Sequence, residues 1–132
     1  MESEILASFT LTGEFDPEEI TNKVGIIPSE TWRMGELIHP KGTIRHQQNG
    51  WSLKSKLEKS AELEDHVKYV LEQLQPGWIP LAELCTQHDA EIDCVIYVNG
   101  QVTAIHFDKR IIDLVNKLNA EIDVDLYVIS GE

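Results

Sequence analysis

Basic side chains are scarce in this chain: eleven Lys and Arg stand against 23 Asp and Glu, a formal charge of -12. Such a surface repels phosphate backbones and anionic lipid headgroups, so neither nucleic acid nor a membrane is an expected partner. A cationic protein, a peptide or a divalent ion is the better electrostatic match, and solubility alone also accounts for the charge. Cysteine is almost missing. Cys85 and Cys94 have neither the spacing of a metal knuckle nor that of a redox pair, so two buried free thiols are expected. No apolar run approaches the roughly 20 residues of a membrane span, and the first residues do not form a basic leader followed by a long apolar segment. A soluble, cytoplasmic protein is the expectation.

Catalytic motifs are equally sparse. Gly25, Gly35, Gly42 and Gly50 make no dinucleotide or phosphate loop, and neither a His-Glu-x-x-His sequence nor a nucleophile elbow occurs. Among the histidines, His66 and His88 lie near apolar helical stripes and read as packed residues. His106 sits near Asp108 without an evident nucleophile, and His39 has no distinctive neighbour. No catalytic, cofactor-binding or metal-binding residue is assigned.

What the chain does contain is a sharply specified helix from Phe15 to Pro28. Asp16 suits the N-cap, Pro17 the first position, Glu19 a capping box, Phe15 a staple onto Ile20 and Gly25 a left-handed stop. Upstream, Ile5, Ala7, Phe9 and Leu11 alternate with Leu6, Ser8, Thr10 and Thr12 in a half-buried strand. Gly35 to Gly50 reads as a loop or ragged strand. Strand character at Thr43–His46 resumes over Trp51–Leu57, and Asn49-Gly50 between them suits a tight hairpin turn.

Ser60 is the expected cap of a helix carrying Leu63, Val67, Val70, Leu71 and Leu74, stopped by Pro76-Gly77. A short helix then begins at Pro80, with Trp78 sealing the corner. Ile92–Val98 and Val102–Phe107 read as a hairpin about Asn99-Gly100, followed by a helix capped by Asp108 and stopped at Asn119, and by a strand over Ile122–Ile129. The order predicts a single α+β domain over residues 1–132, an antiparallel-rich sheet covered by helices on one face. Its plan is ferredoxin-like or an elaboration of it.

Two surface features carry the functional expectation. The rigid exit from the capped helix presents Thr31, Trp32, Arg33 and Glu36, with Trp32 available as an aromatic anchor and Arg33 as a carboxylate clamp; the alternative is that Trp32 covers the core and Arg33 pairs with a local acid. The two late strands place Glu91, Asp93 and Tyr97, and Glu121, Asp123, Asp125 and Tyr127, on the parity opposite their apolar residues. Carboxylates are depleted in strands, so their accumulation points to solvent, to edge protection or to a basic partner, while no calcium-loop spacing accompanies them. The reading is a protein-binding domain using Trp32, Arg33, Glu36, Asp93, Asp123, Asp125 and Tyr127. A scaffolding or homodimerising role is the alternative.

Five stretches in order carry a resemblance over nearly the whole chain. They are Phe15-Asp16-Pro17 through Ile27-Pro28, the Arg33 to Glu36 turn, Trp51 with its strand, His66 within Leu63 to Leu74, and Asp123-Val124-Asp125-Leu126-Tyr127. In these the chain resembles the largely bacterial family called domain of unknown function 4279. The resemblance implies no catalytic residues and no mechanism. Similar small acidic domains include immunity proteins that bind and block toxins, which adds toxin binding to the alternatives.

Overall fold

The computed structural model describes residues 3–100 and 104–129. β1 (Glu4–Gly13) buries Ile5, Ala7, Phe9 and Leu11 on one face, as its alternation predicts. In α1 (Pro17–Val24) the Asp16 carboxylate accepts the Glu18 backbone N–H. Gly25 closes the helix at φ 73°, donating its N–H to the Thr21 carbonyl. The run after Pro28 is itself a short strand, β2 (Glu30–Trp32), which pairs antiparallel with β3 (Asn49–Lys54). Between them residues 33–48 form a ragged hairpin joined by the Leu37–Arg45 bridge and the Ile38 N–H to Ile44 carbonyl bond.

Asn49-Gly50 is therefore not a turn, contrary to its dipeptide signature. A Cβ on Gly50 would lie 1.9 Å from the Trp32 ring, so glycine is what lets the indole lie on the backbone in this position. Asn49 instead ties three segments together, accepting the Met34 N–H and donating to the Phe15 carbonyl.

α2 (Leu63–Leu74) packs Leu63, Val67, Val70, Leu71 and Leu74 inward, and its N-cap is Glu62 rather than the expected Ser60. A 3-10 turn at Gln75–Gly77 leads without a break into α3 (Trp78–Cys85), which starts two residues before Pro80 and ends before His88. β4 (Asp89–Asn99) pairs antiparallel with β1 on one side and parallel with β5 (Glu121–Ile129) on the other. The hairpin expected at Asn99-Gly100 is accordingly absent among the described residues. Both edges of β4 are occupied, and Ala104–Phe107 hold no strand; Gln101–Thr103 lie outside the described residues. α4 (Lys109–Leu118) makes the crossover instead, capped by Asp108, which accepts the Ile111 N–H, and stopped by Asn119 at φ 64°.

The result is an α+β fold with ferredoxin-like layering, a mixed sheet in the order β2-β3-β1-β4-β5 with its helices on one face. The core lies between the layers. Trp51 is fully buried there, edge-on to Phe9 at 6.1 Å, with its Nε1–H donated to Thr21 Oγ1 at 3.0 Å. Trp78 is partly buried against the same core, and Cys85 and Cys94 are buried free thiols whose pKa values burial pushes up to about 12. Among the described residues no helix is long and apolar enough to cross a membrane.

Candidate functional site

The helices leave one face of the sheet open, and strand register decides which side chains share it. One row across that face is Glu30, Ser52, Thr10, Glu91 and Glu121; the next is Lys54, Ser8, Asp93 and Asp123. Leu6, Val95 and Asp125 follow, then Glu4, Tyr97 and Tyr127. From Ser8 to Thr12 the floor over β1 is thus made of small hydroxyl side chains, with most of the acidic ones gathered on β4 and β5.

Parallel pairing is what concentrates the acids. It sets Glu91 beside Glu121 and Asp93 beside Asp123, so the like charges separated along each strand become neighbours between strands. Glu91, Asp93 and Asp123 each offer a carboxylate oxygen, and these atoms lie within 4.8 Å of one another. The Glu91 pKa rises from 4.5 to about 8, chiefly because its proton is held in a hydrogen bond with Asp93, then through burial and the charges of Asp93, Asp123 and Glu121. The Asp123 pKa is also raised, first by the charge of Asp125. Three such oxygens suit a hard cation, which ordinarily takes six or more oxygen ligands. Beside them Tyr97 and Tyr127 stack with ring centroids 5.4 Å apart, and Tyr127 is 51% exposed. The expected residues Asp93, Asp123, Asp125 and Tyr127 therefore form one patch. Glu91 and Tyr97, which share the parity of Asp93, belong to it as well.

A pH dependence follows. Between pH 4.5 and about 8 the unfolded chain releases the Glu91 proton while the folded chain retains it, so stability falls as pH rises through that window. Glu91→Gln is expected to match the native chain near pH 4.5 and to exceed it at pH 8.5 by about 1 kcal/mol, a figure kept small by solvent screening. Urea unfolding at the two pH values checks this. His66 acts in the opposite direction: burial lowers its pKa from 6.5, so its contribution is present above 6.5 and fades on acidification. Comparing the two proteins at the same pH cancels that effect.

Trp32, Arg33 and Glu36 lie elsewhere. Three strand spacings separate β2 from β4, on the order of 14 Å, so these residues do not join the acidic patch. Trp32 is neither a core residue nor a free anchor. It is half-buried, lies on Gly50 and stacks on His46 with centroids 4.8 Å apart. Arg33 forms an exposed ion pair with Asp16 at 2.8 Å, and its backbone N–H is taken by the Glu36 carboxylate. The Glu18 backbone N–H and then the Arg33 guanidinium hold the Asp16 carboxyl below its usual range. Helix cap and turn are thereby one unit. Gly50→Ala is expected to displace the Trp32 ring. Because the indole can swing outward, the cost is about 1 kcal/mol, and loss of the ring-current shift on His46 protons in an NMR spectrum reports the displacement.

A third feature had no counterpart in the sequence pattern. β3 leaves β1 after Lys54, and a cavity of about 310 Å³ opens there, lined by Ala7, Ser55, Leu57 and His66 among others. His66 is 1% exposed, Ser55 Oγ lies 2.7 Å from its Nδ1, and among the described residues its Nε2 has no partner at hydrogen-bond distance, although the Glu58 backbone carbonyl interacts with the ring. An orphaned buried polar atom of this kind costs about 1–3 kcal/mol. Arg33 lines neither this cavity nor the openings beside Glu62 and beside His88.

Residues 3–129 match the family model described as domain of unknown function, DUF4279. The chain belongs to the DUF4279 family. No curated protein and no solved structure matches it. The DUF4279 match spans the Trp32 turn, the Ser55–His66 cavity and the acidic strands alike, so it includes each candidate feature without choosing among them.

Proposed function

We propose that this domain binds a protein partner through the open face of its sheet, and that the partner presents a Lys- or Arg-bearing surface to β4 and β5. The observation that carries this reading is the convergence of the Glu91, Asp93 and Asp123 carboxylates within 4.8 Å on an uncovered face. Ionising all three is costly in the free protein, where Glu91 keeps its proton up to about pH 8, and a cationic side chain offsets that cost on binding. Asp93, Asp123 and Asp125 steer the encounter, and the exposed Tyr127 supplies apolar area beside them. The short side chains of Ser8, Thr10 and Thr12 allow close approach. A partner broad enough to span the sheet also meets Trp32, Arg33 and Glu36 at the far edge. The proposed action is complementarity without covalent chemistry.

A cross-linked pull-down comparing the native chain with Asp93→Asn/Asp123→Asn/Asp125→Asn and with Trp32→Ala/Arg33→Ala tests the assignment. The expected outcome is a partner retained by the native chain, released as salt is raised and lost with the triple variant. Equal recovery by the triple variant rejects the acidic face, and equal recovery by the double variant restricts binding to β4 and β5. Dimerisation is the second reading, favoured by Leu126 and Val128, which remain 50% and 78% exposed on the helix side of edge strand β5. Light scattering over a concentration series separates the two, since a concentration-independent monomer removes the dimer.

A further inference from the structure

The cavity beside β1 is built by a mismatch in chain advance. The Ser55 N–H bonds the Ala7 carbonyl, and the Ile5 N–H bonds the Lys59 carbonyl. Between these bonds β1 advances two residues and the facing segment four, so the facing backbone bows away and leaves the opening above α2. Its walls include Ile5, Ala7, Leu57 and Val95, and Lys54 and Lys59 line it together with a single acid, Asp93. In a chain of charge -12, two cations thus reach an opening with one acid in its lining. The volume, about 310 Å³, falls at the lower end of the range for small-molecule sites.

The polar group within this cavity is defined by its hydrogen bonds. Ser55 Oγ accepts the Leu57 N–H at 3.2 Å, and we assign its hydroxyl proton to His66 Nδ1. The neutral ring then carries its own proton on Nε2, a donor with no partner at hydrogen-bond distance among the described residues, although the Glu58 backbone carbonyl interacts with the ring. Both lysines already have acidic neighbours, Lys54 with Glu30 at 3.2 Å and Lys59 with Glu4 at 3.6 Å. These pairs are largely exposed, and pairs of that kind are weak enough to exchange for a better acceptor.

We propose that the cavity is a binding site for a small monocarboxylate, its short aliphatic chain against Ile5, Ala7, Leu57 and Val95 and its carboxylate toward Lys54, Lys59 and the Ser55–His66 pair. A carboxylate is the ligand group that only accepts hydrogen bonds, and the groups left to meet it, the two ammonium groups and the His66 Nε2–H that the Ser55 contact sets, are donors. This site adjoins the acidic face, since Lys54 shares a row with Asp93 and Asp123, but its ligand is a small anion and its test does not depend on the protein-binding reading.

NMR titration of the full chain with sodium hexanoate tests the assignment, with 1-hexanol and hexylamine as arms of equal chain length. Saturable shifts confined to Ser55, Leu57, His66 and their neighbours are expected. Affinity should fall about tenfold or more for hexanol, for hexylamine and for Lys54→Ala/Lys59→Ala, the scale of one lost charge-assisted bond. The double variant alters exposed side chains only, and an unchanged unfolding midpoint confirms its fold. Absence of saturable shifts, shifts centred elsewhere, hexanol binding as tightly as hexanoate, or undiminished binding by the double variant would each overturn the proposal.

Discussion

Trp51→Ala is expected to cost about 3–5 kcal/mol, the range for removing a large aromatic side chain from a core. Against a total stability of about 5–15 kcal/mol for a domain, that leaves little or no folded protein at physiological temperature. Three losses combine. The side chain is fully buried at the junction of β3 and α1, so its removal opens a cavity between the two layers. Its edge-on contact with Phe9 disappears, and Thr21 Oγ1, which also donates to the Pro17 carbonyl, loses its indole partner. Trp51→Phe keeps most of the volume while removing the N–H, and it should recover more than half of the loss. Chemical denaturation of the three proteins, analysed with a common slope, checks the order.

The second large effect is predicted for Gly77→Ala, at about 3 kcal/mol. A Cβ at this position would lie 2.3 Å from the Val24 carbonyl oxygen and 2.4 Å from Val24 Cγ1. The first of these is backbone at the end of α1, so no rotamer change relieves it. Helix propensity works the other way, favouring Ala over Gly by about 1 kcal/mol, and a measured gain in stability would show that α1 and the 3-10 turn separate freely. The expected result is a fall in melting temperature of well over 10 °C, taking roughly 4–8 °C per kcal/mol for a domain near 100 residues.

These two positions also mark what could be read in advance. Trp51 beside Leu53 on an alternating strand is legible as core, because strand parity is a local property. α1 is legible for the same reason, since Asp16, Pro17 and Gly25 each act within one turn. Gly50 and Gly77 are not. Their requirement comes from Trp32 and Val24, remote in sequence, and a local dipeptide rule assigns Asn49-Gly50 to a turn that does not exist.

The acidic site divides along the same line. The parity of Asp93, Asp123, Asp125 and Tyr127 is visible in two short stretches, and it correctly puts these residues on one face. The parallel register that turns two acidic rows into a cluster depends on the α4 crossover, which the Asn99-Gly100 hairpin signature concealed. The Ser55–His66 contact joins a loop to a helix, and a single histidine on an apolar stripe carries no mark of its neighbour. Trp32 and Arg33 follow the helix exit in sequence, and the ion pair of Arg33 with Asp16 makes that turn part of the helix cap.

Edge strand β5 begins with a seam of matched residues, Glu91 with Glu121, Ile92 with Ile122 and Asp93 with Asp123, and later adds Tyr97 with Tyr127. The Asp93 and Asp123 carboxylates repel, and Glu91 joins them once it loses its proton near pH 8, while the apolar and aromatic pairs attract. The attachment of β5 thus has an internal balance that charge neutralisation tips toward closure. Local opening in proteins begins where the net attachment is weakest. The backbone amides of β5 therefore act as a gauge of what sits on the sheet, exchanging fastest with solvent deuterium when the acids are bare and slowing when a cation bridges them.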